Sequence, residues 1–239
     1  MSPSAAGRVA LIGSGEYLPE MQEFESSLLQ SGGSDIYVQI PTAAGRESKA
    51  RLEYWRELGK AQAERLGATQ KFLPIFERED AYREELVRQI TGAGLIYLSG
   101  GDPHYLASTL RDTPVYEAII NTWRKGASLA GCSAGAMVLG PDIPHFRKMK
   151  EEGELGFGVV EQIRTIPHYN KFFRWIPEFA AAKFMQAPDH ICIVGIDEMT
   201  AISSDDLLNW SVTGVGKVHV LKGENAGVYT HGEQILIKA

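Results

Sequence analysis

At 239 residues, with 44% hydrophobic and 23% charged positions, the chain is long enough to bury a full core in one domain. A formal charge of −6 leaves no basic surface, which argues against nucleic acid and other acidic polymers as partners. No apolar run is long enough to cross a bilayer and the N-terminus has neither a basic head nor an apolar stretch of leader length, so no membrane association and no removed leader are expected, while Cys132 and Cys192 sit in apolar runs and read as buried thiols of a reducing, cytoplasmic setting.

Residues 1–7 are expected to be disordered. Val9-Ala10-Leu11-Ile12 is a continuous apolar run that opens into Gly13-Ser14-Gly15, as in a central parallel strand buried on both faces. Helical spacing follows from Leu18 to Gln30, then a strand at Ile36 to Ile40 stopped by Pro41. An amphipathic helix is predicted from about Glu47 to Leu66, with Leu52, Trp55 and Leu58 inward. Lys71 to Phe76 can form a short strand, which Pro74 pushes to an edge. A helix near Ala81 to Thr91 precedes the strand Leu95-Ile96-Tyr97-Leu98, which ends in Ser99-Gly100-Gly101-Asp102-Pro103. Helices near Tyr105 to Leu110 and Val115 to Lys125 lead to the strand at Leu129 and Ala130. Beyond Gly140 the pattern loosens: a loop or hairpin through Arg147 to Glu152, a strand-like run at Ile163 to Ile166, a helix over 172–185, the apolar strand Ile191 to Ile196, and a glycine-broken tail that reads as antiparallel hairpins.

Strands separated by helical patterns predict an α/β fold of three layers, a mostly parallel central sheet with helices on both faces and C-terminal β-hairpins, in a single domain over 1–239. In such sheets the crevice lies at the carboxyl ends of the strands, so the loops at Gly13, Pro41, Gly100 and Ser133 are expected to converge.

Ser133 lies in Gly131-Cys132-Ser133-Ala134-Gly135, between a strand and a run of small and apolar residues that permits a helix. Strand, elbow and helix is the context that separates a nucleophile turn from an ordinary tight turn. A serine hydroxyl needs a base, and of six histidines His168, at the end of a strand-like run, is the best placed. His104, His145, His190, His219 and His231 read better as surface or structural residues. The amide of Ala134 and one from the Gly100-Gly101 pair are candidate oxyanion donors. Gly100, Asp102 and Arg174 are candidate substrate-binding residues, Arg174 through the planar fork that suits a carboxylate. Asp197 and Glu198 either touch the site, for instance at an α-amino group, or are carboxylates solvated at a strand end. No cluster has metal-ligand spacing, and Gly13-Ser14-Gly15 lacks the third glycine and lysine of nucleotide loops, so neither metal nor cofactor is expected.

Gly131-Cys132-Ser133-Ala134-Gly135-Ala136, preceded by Leu98-Ser99-Gly100-Gly101-Asp102 and followed by Gly156-Phe157-Gly158-Val159-Val160 and Pro167-His168-Tyr169, resembles the serine peptidase family of dipeptidase E and cyanophycinase. Pro41-Thr42-Ala43 and Gly195 to Ala201 extend the resemblance over about residues 9 to 203. It implies a class I glutamine amidotransferase-like fold, a nucleophile at Ser133, a base at His168 and an oxyanion hole from the amides of Gly101 and Ala134. It also implies a small peptide or isopeptide substrate, aspartyl as in dipeptidase E or β-aspartyl-arginine as in cyanophycinase. The family's acid falls between serine and histidine, where Asp142 is favoured over Glu151, Glu152 and Glu154.

Two other readings stay open. An α/β-hydrolase-type esterase would use Ser133, Asp205 or Asp206, and His231 in that order. A catalytically silent member of the fold would bind a small ligand, and the short segment after Ser133 is the ground for it. Tail Trp or Tyr residues offer a homodimer surface, with core packing the plainer use.

Overall fold

The computed structural model describes residues 6–144, 153–171 and 187–238. The first half alternates strand and helix: β1 (Val9–Ile12), α1 (Gln22–Ser31), β2 (Ile36–Ile40), α2 (Lys49–Leu66), β3 (Thr69–Phe72), α3 (Glu84–Ile90), β4 (Leu95–Leu98), α4 (Pro103–Leu110), α5 (Pro114–Arg124), β5 (Ser128–Cys132) and α6 (Ala134–Leu139). The second half is almost all strand among the described residues: β6 (Asp142–Ile143), β7 (Glu154–Leu155), β8 (Ile163–Ile166), β9 (Cys192–Ile196), β10 (Thr200–Ser204), β11 (Asn209–Gly214), β12 (Val218–Lys222), β13 (Gly227–Tyr229) and β14 (Gln234–Leu236).

An eight-stranded sheet in the order β14-β11-β10-β1-β5-β4-β2-β3 forms the centre. Its β1-β5-β4-β2-β3 half is parallel, as the buried apolar runs imply, and β10, β11 and β14 add antiparallel strands beside β1. Successive β1 side chains point to opposite faces, Val9 and Leu11 into one apolar cluster and Ala10 and Ile12 into the other. Phe24 and Leu28 of α1 and Ala63 of α2 cover the second face, while α3 to α6 cover the first. The expected α/β architecture with helices on both faces is therefore present.

Three features depart from the chain-order expectation. The apolar run 192–196 does not join the central sheet: β9 pairs parallel to β8 and antiparallel to β12 in a separate sheet of order β13-β12-β9-β8. Continuous hydrophobicity reports burial on both faces and carries no information about which strand lies alongside. The half-polar Thr200-Ala201-Ile202-Ser203-Ser204, not anticipated as a strand, is buried between β1 and β11 because the ladder satisfies its backbone on both sides. The tail hairpins are consequently divided, β11 and β14 completing the central sheet and β12 and β13 the second. The short strand expected at 71–76 lies at Thr69–Phe72, on the edge as Pro74 suggested.

The helix predicted at 172–185 and the loop expected through 147–152 fall on residues outside those described. Of the expected disordered terminus, Gly7 is described and is clasped by Trp123, donating to its carbonyl at 2.9 Å and accepting from its indole at 2.7 Å. No helix among the described residues is long and apolar enough to cross a membrane.

Candidate active site

The strand order places the ends of β1, β5 and β4 side by side, Ile12 opposite Cys132 and Leu98 opposite Gly131. Ser133 follows directly on β5. Its backbone sits at φ 51°, ψ −110°, a strained conformation for a residue with a side chain, and its amide donates to the Ile12 carbonyl at 2.9 Å. The neighbouring glycines make the turn possible: a Cβ on Gly131 would lie 2.4 Å from the Gly135 carbonyl oxygen, and one on Gly135 2.2 Å from that of Leu98. The hydroxyl is thus carried out at the rim of the sheet, with the α6 amides beginning beside it.

His168 arrives from the second sheet, two residues beyond β8, also at positive φ (51°), its amide donating to the Gly13 carbonyl at 3.3 Å. Its Nε2 stands 3.0 Å from Ser133 Oγ. Its Nδ1 stands 2.9 Å from Oε1 of Glu198, which occupies the turn between β9 and β10. The Glu198 amide donates to Asn170 Oδ1 at 3.3 Å, and Lys171 Nζ lies 2.5 Å from its other carboxylate oxygen. Burial works against ionisation of Glu198, but Lys171 and His168 outweigh it and hold the carboxyl below its ordinary range. An ionised carboxylate only accepts, so the imidazole proton stays on Nδ1 and Nε2 faces the serine as an acceptor.

Asp142, the residue favoured from the sequence as the orienting acid, is held elsewhere: both its oxygens accept from the nearly buried Arg164 guanidinium, at 2.9 Å from Nε and closely from the second nitrogen. Glu154 faces His104 at 3.3 Å. Glu151, Glu152, His145 and Arg174 lie outside the described residues. The carboxylate at His168 comes instead from beyond it in the chain, a position that the serine-to-histidine interval could not reveal. The strand-end placement of Glu198 was its one legible signal.

Asp102 caps α4, accepting from the amides of His104 at 2.9 Å and Tyr105 at 3.1 Å. Gly101, at φ 139°, turns where a Cβ would strike the Ala43 carbonyl, which packs the Pro41 loop against the Gly100 loop as the topology predicts. Gly100 donates its amide to Oε1 of Glu16 at 2.9 Å. His231 lies on the far flank, accepting from the Gly214 amide at the end of β11, three strands and so about 14 Å across the sheet from β5. Asp205 is paired with Arg8 and Asp206 caps the Leu208 turn, so the esterase grouping is not assembled. Among the described residues no three His, Cys, Asp or Glu side chains gather as a metal site.

A crevice of about 290 Å³ opens on this group, between Glu16, His168 and Glu198 on one side and Tyr54, Trp55 and Leu58 of α2 on the other. A larger groove of about 570 Å³ lies between α2 and β3 and contains none of these three polar residues.

Residues 9–207 match the model of peptidase family S51. The chain belongs to peptidase family S51. It is a peptidase of the serine type. It is 27% identical over 231 residues to a cyanophycinase of Synechococcus elongatus, covering 90% of this chain and 68% of that one, and 30% identical over 212 residues to a cyanophycinase of a Nostoc species, covering 80% and 65%. The chain thus spans about two thirds of the length of these relatives. Among solved structures, a peptidase from an acI-B1 Actinobacterium superposes with a TM-score of 0.93 at 50% identity over 97% of both chains. A putative peptidase E protein from Listeria monocytogenes shares the fold, with a TM-score of 0.64 at 20% identity over 89% of this chain and 100% of that one.

Proposed function

We propose that this S51 peptidase hydrolyses a small peptide or isopeptide through an acyl-enzyme on Ser133, with aspartyl and β-aspartyl peptides as the first substrates to try. The observation that carries the reading is the continuous Ser133, His168, Glu198 relay, with contacts of 3.0 and 2.9 Å. Ser133 Oγ attacks the scissile carbonyl carbon while its proton passes to His168 Nε2. The oxyanion is received by the amides of Gly101 and Ala134. The carbon–nitrogen bond then breaks as Nε2 returns the proton to the leaving amine. Water attacks the acyl ester, its proton again taken by Nε2 and passed on to Ser133 Oγ as the acid departs. Glu198 never takes the proton; it holds the imidazole in the needed tautomer and stabilises the imidazolium.

A carboxylate at Nδ1 weighs against the catalytically silent reading, whose ground was the short segment after Ser133, because an acid from beyond His168 stands where that segment offered none. The free, buried Cys132 and Cys192 support a reducing, cytoplasmic setting. A panel of aspartyl dipeptides with β-aspartyl-arginine tests the reading. Ser133→Ala is expected to lower turnover at least about 10³-fold at unchanged thermal stability; full activity in that variant would refute it.

A further inference from the structure

The turn that leaves β1 through Gly13-Ser14-Gly15 supplies no reacting group, yet residues 12–17 bond to each loop that does. The carbonyls of Ile12, Gly13 and Ser14 accept from the amides of Ser133 at 2.9 Å, His168 at 3.3 Å and Met199, beside Glu198, at 3.0 Å. Glu16 Oε1 accepts from the Gly100 amide at 2.9 Å, and the Tyr17 hydroxyl shares a hydrogen bond with Oγ of Ser99, the oxygens 2.5 Å apart. The first three bonds set the nucleophile, the base and the acid. The last two set the turn that offers the Gly101 amide, and the bond between Tyr17 and Ser99 joins two buried residues.

Tyr17 is itself anchored. Its ring lies 6.4 Å from that of Tyr37 and 5.2 Å from that of Tyr97. Its backbone is at φ 61°, unfavourable for a residue with a side chain, and is clasped from α2: Arg65 Nη2 donates to its carbonyl at 2.7 Å while Arg65 Nε donates to Gln62 Oε1 at 2.8 Å. Phenylalanine would fill the same space, whereas a buried hydroxyl is costly unless it is bonded and, once bonded in so apolar a place, is a strong restraint. Burial holds the Tyr17 phenol well above its ordinary range, so the bond does not titrate.

An amide stabilises an oxyanion only if it stays aimed at it, within about 3 Å. Ser99 is fixed through its backbone by the Ile40 carbonyl, which accepts from its amide at 3.2 Å, and through its side chain by Tyr17. Two glycines follow it with no side chains to restrain them, so the setting of Ser99 decides where their amides point.

Resting on the acyl-enzyme reading above, we infer that Tyr17 is a positioning residue that acts through the Ser99 hydroxyl to hold the Gly100-Gly101 turn where the Gly101 amide meets the oxyanion.

The test uses Tyr17→Phe, which keeps the ring, and Ser99→Ala, which removes the same bond from the other side and carries the test alone should Tyr17→Phe not fold. Amide exchange followed by NMR on the full chain without substrate is expected to quicken at Gly100 at least about fivefold, with the β2 and β4 amides unchanged. On whichever aspartyl or β-aspartyl peptide the wild type hydrolyses, kcat is expected to fall roughly ten- to hundredfold with KM within about threefold. The acidic limb of kcat/KM against pH, which reports the relay of Ser133 and His168, should not move. The double variant should be no slower than the slower single one. Unchanged exchange at Gly100, or kcat within about threefold of the wild type, overturns the role of Tyr17 and leaves the hydrolase reading intact. Faster exchange throughout the sheet with a displaced acidic limb marks a merely structural hydroxyl and overturns it likewise. No hydrolysis of the panel by the wild type, or undiminished hydrolysis in Ser133→Ala, overturns the hydrolase reading and this inference with it.

Discussion

At Ser133 and His168 two positive-φ residues face each other, and each is held there by a backbone bond to the end of β1 or the glycine after it. Neither conformation is favourable for a residue with a side chain, so the surrounding ladder sustains both. Glu198 completes the relay from a turn whose next residue, Met199, also has positive φ and donates its amide to the Ser14 carbonyl at 3.0 Å. Replacing Glu198 by Gln is expected to lower kcat about 10²- to 10⁴-fold, because the amide no longer fixes the proton on Nδ1. Asp142→Asn should instead leave kcat/KM within a few-fold and lower stability by roughly 2–4 kcal/mol, since it withdraws one charge from Arg164 in a largely buried pair. Steady-state kinetics beside urea unfolding separate the two; loss of activity without loss of stability in Asp142→Asn would return the orienting role to that residue.

Among the elements, β5 and α6 carry the consequence of the elbow. Both were legible: the apolar strand, the two glycines and the small residues after Ser133 call for a strand that turns sharply into a closely packed helix. Gly135 shows why small residues are required, because α6 rests its backbone on β4. Gly135→Ala is expected to cost about 1–3 kcal/mol and to depress activity by shifting Ser133, with denaturant midpoint and kcat/KM as readouts. Unchanged values for both would show that the contact yields. Other elements were less legible. Strand β10 mixes Thr and Ser with Ala and Ile, so no periodicity announces it, yet it supplies the antiparallel neighbour of β1. Strands β8 and β9 read as strands from composition but form their own sheet, and that sheet is what delivers both His168 and Glu198.

On the scale of the whole molecule, the face of the sheet under α1 and α2 contains an unusual polar island. Tyr17, Tyr37 and Tyr97 are fully buried with ring centroids 5.2 to 6.4 Å apart, and Tyr37 and Gln62 both donate to Glu25 Oε2 at 3.0 Å. Burial pushes the Glu25 carboxyl up to about 7, the two hydrogen bonds and Arg65 opposing it only in part. The folded chain thus holds this proton more tightly than the unfolded chain. Stability is favoured at low pH and falls as pH rises from the unfolded value near 4.5 through about 7, by roughly 3 kcal/mol in all. Glu25→Gln should remove that dependence, its stability advantage over the wild type growing between pH 5 and pH 8 in urea titrations. Parallel pH profiles for the two proteins would refute the burial of an ionisable proton here.

The chain by itself determined its fold class and singled out the serine and the histidine that the folded protein brings within 3.0 Å, because these are written in local chemistry: apolar runs that must be buried, glycines that allow a strained turn, and a histidine after a strand end. Only the tertiary structure decided which carboxylate meets that histidine, which strands share a sheet, and that Glu16 shares the rim with Ser133. Those are matters of pairing between segments distant in sequence, and a residue's type restricts what it can bond to without specifying which of several chemically equal partners the folded backbone brings within reach.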